Sequence, residues 1–220
     1  MYQLSVGAAY AYARKCMDEM YSIESDGMVG ISDDLNLRKQ VEDSIVEAVV
    51  KVHNNAPVSI LEGKEGISGE EYDYALGFDE KNQGVITITM LKDTLRVISV
   101  KAKDSDVVVC NFLPEDSAEG RKQLNKYVRG VPDDPRVVIM KNNSQDYQPI
   151  LKYYTSTETG FDAISLTYIP YPIIEETVVY ISPKLEYAVL NEIVAMILDN
   201  MSLHDKAAIY RNKSVEYMAV

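Results

Sequence analysis

Residues 181–220 read ISPKLEYAVLNEIVAMILDNMSLHDKAAIYRNKSVEYMAV. The stretch predicts two helices joined by a short turn. Ser182-Pro183 opens the first, because a serine N-cap accepts a hydrogen bond from an orphan helix amide and proline suits the first helical position. Apolar residues then recur at Leu185, Val189, Ile193, Met196 and Ile197, with a second row at Tyr187, Leu190, Val194 and Met201. That stripe is too wide for a surface helix, so burial on most sides is expected. The second helix is expected to start at Ser202, with Asp205 at its third helical position, and to run through Ala207, Ala208, Tyr210, Arg211 and Ser214 to Tyr217. Its narrower apolar surface predicts an exposed partner leaning on the first. Nothing in this hairpin has the pattern of a catalytic centre.

The other end of the chain is also helical in pattern. A helix is predicted over 6–21, followed by a glycine-containing loop over 25–30. Ser32, Asp33 and Asp34 supply a cap and first-turn acids for a second helix. Its apolar positions Leu37, Val41, Ile45, Ala48, Val49 and Val52 keep helical spacing, and it stops near Asn54-Asn55-Ala56-Pro57, since proline disfavours helix at the residue before it.

Between these ends the pattern changes to strands. Candidates are 85–90, 95–102, 107–112, 137–141, 150–155 and 163–169. Ile86-Thr87-Ile88-Thr89-Met90 alternates as a strand with one solvated face does. The short turns Lys92-Asp93 and 103–106 favour antiparallel neighbours. One helix, over about 116–128, interrupts the strands and ends at Gly130. Helices first, strands in the middle and helices last make an α+β fold. The expected organisation is one chain, 1–220, whose helical parts 1–57 and 182–220 bundle around an antiparallel β-rich insertion over 58–181.

Composition narrows the function classes. With 220 residues the chain can bury a full core, and 46% hydrophobic with 25% charged residues is ordinary for a globular protein. A net charge of −12 argues against gripping nucleic acid by its phosphates, which needs a basic surface. The densest basic pairs are Arg14-Lys15, Arg38-Lys39 and Arg121-Lys122. Cys16 and Cys110 lack metal-ligand spacing, so both are expected to be reduced and buried. No segment reaches the roughly 20 apolar residues of a membrane span, and the opening stretch lacks the basic leader of a signal peptide.

The search for chemistry is negative. His53 and His204 have no paired ligand at metal spacing, and each is read as structural. The glycines 63, 66 and 69 punctuate a loop without phosphate-loop order. Asp104-Ser105-Asp106 and Asp133-Asp134 do not continue into a calcium loop. No catalytic residue, cofactor or metal is therefore expected. Aromatic usage is more informative: 16 tyrosines, 3 phenylalanines and no tryptophan. Tyrosine suits surfaces that are wet in one state and covered in another. Tyr153, Tyr154, Tyr168 and Tyr171 late in the β-rich part, with Tyr210 and Tyr217 on the last helix, are the interface candidates.

The closing run Ser182-Pro183-Lys184-Leu185-Glu186-Tyr187-Ala188-Val189-Leu190, followed by Asp205-Lys206-Ala207-Ala208-Ile209-Tyr210, resembles the C-terminal end of tailed-bacteriophage head–tail connector proteins. The helix 37–52 ending in Asn-Asn-Ala-Pro and the segment Met90-Leu91-Lys92-Asp93-Thr94-Leu95-Arg96-Val97 add to it. The nearest likeness is to ring proteins of crAss-like, podovirus-type phages. The resemblance covers about half the chain. It implies a non-enzymatic virion protein, made in the host cytoplasm and residing in the neck. There it would form a cyclic homo-oligomer of about twelve copies that contacts the portal and other neck or tail proteins. DNA would only pass through the lumen, whose acidic wall would repel phosphate; no membrane is implied. The competing reading is an intracellular binding module with a Tyr-rich docking surface, and a third is an enzyme with a spatially assembled acidic site. Removing 202–220 is expected to spare the fold and impair assembly.

Overall fold

A computed structural model describes residues 1–23, 34–78, 84–102, 106–125, 127–131, 133–140, 148–154 and 164–219. The predicted loop 25–30, the cap residues Ser32 and Asp33, and Asp104-Ser105 lie outside them. The fold is α+β. Its contacts divide into two compact units: Met1–Glu62 with Pro172–Val220, and Gly63–Tyr171.

The first unit is built from both ends of the chain. Strand β1 (Tyr2–Ser5) leads straight into helix α1 (Val6–Ile23). The Ser5 hydroxyl accepts from the Ala8 amide at 3.0 Å, and the Thr177 carbonyl accepts from the Val6 amide at 2.8 Å. Two of the orphan donors at the helix start are thereby met. Val6, Ala9, Ala13 and Met17 face inward at helical spacing. Helix α2 (Asp34–Asn55) buries all six of its anticipated positions, from Leu37 to Val52, and ends just before Pro57 as expected. A single 3-10 turn, Val58–Ile60, follows.

The C-terminal part enters through β10 (Val178–Ile181), antiparallel to β1 with Leu4 opposite Val179. This pairing draws residues 172–181, read from sequence as part of the insertion, into the helical unit. Helix α4 (Glu186–Asn200) follows a 3-10 turn at Pro183–Leu185. The Ser182 side chain does not cap it. Its hydroxyl accepts from the Glu62 amide at 3.0 Å instead, tying the strand end to the end of the α2 arm. Helix α4 touches α1, α2 and α5 (His204–Met218) and is buried over most of its surface, as its double apolar row requires. Tyr187 and Met201, assigned to that row, are exposed because they sit at its edges.

Helix α5 starts at His204 rather than Ser202, because Ser202 takes φ 61° and closes α4 in the left-handed conformation. Ala207, Tyr210, Ser214 and Met218 form its buried seam, and the Ser214 hydroxyl donates to the Ala188 carbonyl at 2.9 Å. The exposed partner thus also contributes to the core.

The second unit holds two sheets around one core. Its strands are β2 (Lys64–Glu65), β3 (Tyr72–Phe78), β4 (Gly84–Met90), β5 (Thr94–Ala102), β6 (Phe112–Pro114), β7 (Arg136–Met140), β8 (Ile150–Tyr154) and β9 (Ile164–Pro170). One sheet has the order β3-β4-β8-β7-β6 and the other β2-β9-β5. Ile86, Ile88, Leu151 and Tyr153 of the first share a core with Val97, Val100, Leu166 and Tyr168 of the second. The Tyr72 hydroxyl donates to the Ile164 carbonyl at 2.5 Å, joining the sheets through a buried hydrogen bond.

Four sequence expectations are corrected in this unit. The turn at Lys92-Asp93 does not make a hairpin: β4 and β5 lie in different sheets, so the turn carries the chain from one layer to the other. The insertion is not wholly antiparallel, since β6 runs parallel to β7; the intervening chain supplies the crossover that parallel neighbours need. In the predicted strand 107–112 only Val109 pairs, with Val100, before β6 begins at Phe112. The helix anticipated over 116–128 is only α3 (Ala118–Lys122).

Candidate interaction surfaces

Buried polar residues tie elements together in each unit, His53 and Glu192 in the first and Glu71 in the second. His53 is fully buried: its Nδ1 lies 2.9 Å from the Val49 carbonyl, and its Nε2 accepts from the Ser182 amide at 3.1 Å. Acceptance at Nε2 requires the neutral tautomer with the proton on Nδ1. The ring therefore staples α2 to the end of β10. Glu192 on α4 is buried, with Lys51 Nζ of α2 at 2.5 Å and Arg211 Nε of α5 at 3.8 Å. Arg211 also reaches Asp199, whose other oxygen lies 2.9 Å from His204 Nδ1. The neighbouring histidine and arginine hold the Asp199 carboxyl below its usual range.

In the β-rich unit the Glu71 carboxylate is 2% exposed. It lies 2.9 Å from Lys64 Nζ and 3.3 Å from Lys92 Nζ, and accepts from the Ile67 amide at 2.9 Å. The Lys64 ammonium, then the Ile67 amide, pull its carboxyl down to about 2. Each of these carboxylates is held by cations of its own unit, an arrangement for ordering elements. Among the described residues, no group of three or more His, Cys, Asp or Glu side chains could hold a metal. No described helix is long and apolar enough to cross a membrane. Cys16 is buried beside the Tyr12 and Tyr210 hydroxyls, and burial pushes its thiol up; such a thiol is a poor nucleophile. Cys110 is exposed, contrary to the expectation of burial.

The six anticipated interface tyrosines separate. Tyr153, Tyr154, Tyr168 and Tyr210 are buried. Tyr153 and Tyr168 belong to the shared core of the two sheets, and Tyr154 carries the Arg129 guanidinium 5.1 Å from its ring centroid. Tyr171 is half-buried, and its amide donates to the Asp93 carbonyl. Tyr217 alone is exposed. It stacks on Tyr187 at 5.5 Å, and Tyr187 meets Tyr12 edge-on at 6.4 Å. The Tyr2 hydroxyl bonds Glu186 at 3.1 Å, extending this aromatic strip across α1, α4, α5 and β1. Ile209 and Val215 add exposed apolar surface on α5.

Beside the strip, Gln3, Val178 and Tyr180 line an open groove of about 760 Å³ with Glu175, Glu176 and Thr177. The groove's rim is a tight turn. Glu175 and Val178 exchange both backbone hydrogen bonds, while Glu176 and Thr177 between them take φ 56° and 114°. Such turns favour Asn-Gly, and a β-branched residue at positive φ is strained. Exposed Ile173 and Ile174 precede it.

The β-rich unit has a different surface in residues 123–131, where the usual partition is inverted. Gln123 and Arg129 are buried, whereas Leu124, Tyr127, Val128 and Val131 are 63%, 83%, 56% and 44% exposed. Arg129 Nε donates to the Gln123 carbonyl at 2.9 Å, and Gln123 Oε1 accepts from the Gly130 amide at 2.9 Å. These bonds close the segment on its polar side chains and turn the apolar ones outward. A Cβ on Gly130 would stand 2.7 Å from the Arg136 amide, so only glycine permits this approach. Isolated exposed apolar residues need no explanation, but four within one short segment make a candidate interaction surface. Sequence reading missed it by placing Leu124, Tyr127 and Val128 on a helix; the run RKQLNKYVRG, cationic in an acidic chain, was the available signal.

No protein-family model and no curated protein matches this sequence. The site therefore rests on geometry: two surfaces suited to contact with other chains.

Proposed function

We propose that the chain is a structural, non-enzymatic virion protein that forms a ring in a phage neck between portal and tail, with DNA passing through the lumen. In this reading α1, α2, α4 and α5 act as the bundle of a connector, and residues 63–171 are the excursion inserted in it. The observation that carries the proposal is the exposed apolar and aromatic surface on the helical unit: Tyr187, Ile209, Val215 and Tyr217. A net charge of −12 agrees with a lumen that repels passing duplex. Assembly would take place in the host cytoplasm.

Native mass spectrometry of the purified chain, alone and with the cognate portal, tests the proposal. A large closed oligomer, or one that forms on the portal, is expected. A chain that stays monomeric and ignores the portal would sink the connector reading. That outcome would favour a docking module, for which Tyr2, Tyr180, Tyr187 and Tyr217 on the helical unit offer the tyrosine-rich face.

A further inference from the structure

The inverted segment has a second property besides its apolar face. Residues 121–130, RKQLNKYVRG, contain four cations and no anion, although the whole chain carries −12. Arg121 and Lys122 are exposed. Arg121 directs its guanidinium to the backbone carbonyl of Asp116, not to a carboxylate, and Lys122 lies 4.0 Å from Glu119. The surface is therefore cationic and apolar together.

The groove rim on the helical unit has the opposite character. Ile173 and Ile174 are exposed, and Glu175 and Glu176 beside them are exposed and acidic. The open groove behind them is wide enough to receive aromatic or branched side chains. The turn closed by Glu175 and Val178 places both glutamates on this rim, with Glu176 and Thr177 at positive φ that their residue types disfavour.

We propose that segment 121–131 of one copy docks on the Ile173–Thr177 rim and groove of the next copy. Leu124, Tyr127 and Val128 would meet the isoleucines and groove, and Arg121 and Lys122 would face Glu175 and Glu176. The proposal deepens the ring reading and rests on it. Two different patches meeting in this way make a heterologous contact, which repeats head to tail and closes into a ring when its rotation allows. Opposite charges at the margin select the partner patch and disfavour like pairing.

A charge swap in the full chain tests it. Arg121→Glu with Lys122→Glu is expected to weaken self-association at least about tenfold, and so is Glu175→Lys with Glu176→Lys. Combining all four substitutions should restore most of it. Sedimentation velocity reads the assembly, and circular dichroism melting confirms that each variant folds. Tyr127→Ser should weaken assembly without altering its salt dependence. If wild type assembles and both charge variants assemble equally well, the docking proposal is overturned while the ring reading survives. If wild type never assembles at any concentration or with portal, both fall. Loss of duplex-DNA binding in the Arg121/Lys122 variant with unchanged assembly would overturn the proposal in favour of a nucleic-acid contact.

Discussion

Helix α4 buries Val189, Ile193, Val194 and Ile197 and, among them, the side chains of Asn191 and Glu192. The segment 123–131 buries Gln123 and Arg129 and leaves Leu124, Tyr127, Val128 and Val131 to solvent. In both, the buried polar residues have partners within the fold. Asn191 accepts from the Tyr12 hydroxyl and donates to the Tyr187 carbonyl, Glu192 has Lys51, and Arg129 has Gln123 and the Tyr154 ring. The difference lies in where the apolar side chains go. In α4 they are committed to the fold, whereas in 123–131 they remain available to another molecule. Stability and association should therefore respond to the two regions separately.

The largest effect is expected at Ile193→Ala, where a fully buried side chain is removed among close neighbours. A loss of about 2–5 kcal/mol in denaturant unfolding follows from the missing transfer energy and the cavity. A near-neutral result would break the comparison from the α4 side. Next comes Arg129→Met, which keeps an apolar stem but deletes the bond to Gln123 and the cation over Tyr154. A loss of roughly 1–3 kcal/mol is expected, read by chemical denaturation.

Thr177→Gly should act with the opposite sign, adding about 1 kcal/mol by relieving a β-branched residue at φ 114°. A lower melting temperature would show that the turn is not strained. The smallest effect belongs to Tyr127→Ser, expected within about 0.5 kcal/mol of wild type. Destabilisation comparable to that of Ile193→Ala would mean that Tyr127 belongs to the core.

Acid offers an independent probe of the β-rich unit. The Glu71 carboxyl is depressed in the folded state, so its stabilising contribution is present above its ordinary value of 4.5 and disappears as pH falls through about 2. Wild type should lose stability across that window, and Glu71→Gln should flatten the slope there. Parallel acid profiles would show that the two lysines do not act through Glu71.

Periodicity made α1, α2, α4 and α5 legible, because Leu37 through Val52 and Leu185 through Ile197 keep one inward face over several turns. Strands β4, β5, β7, β8 and β9 were legible from their β-branched and aromatic residues. Strand β1 was missed because its four residues run into α1 without a break, and β3 because Tyr72-Asp73-Tyr74-Ala75-Leu76-Gly77-Phe78 carries an acid and a glycine. Helical spacing in 116–128 misled for a physical reason. Leu124, Tyr127 and Val128 keep that spacing with no core behind them, while Gln123 and Arg129 turn inward. Tyrosines in strands were equally opaque: adjacent Tyr153 and Tyr154 point to opposite faces, yet both are buried, so alternation could not identify a wet one. The exposed rings of Tyr2, Tyr180 and Tyr187 lie at element ends and edges, where periodicity carries little information.

Because β1 pairs with β10 and α4 packs against both α1 and α2, the helical unit cannot close until residues 178–200 have left the ribosome. The first two helices must wait for residues 178–200, a delay on the order of ten seconds at ordinary rates of synthesis. During that interval Leu4 has no partner strand, and α2 has only α1 to pack against. Residues 63–171 contain all their own sheet partners and can fold while the earlier helices are still waiting. Limited proteolysis of stalled nascent chains should therefore find the middle of the sequence protected before either end.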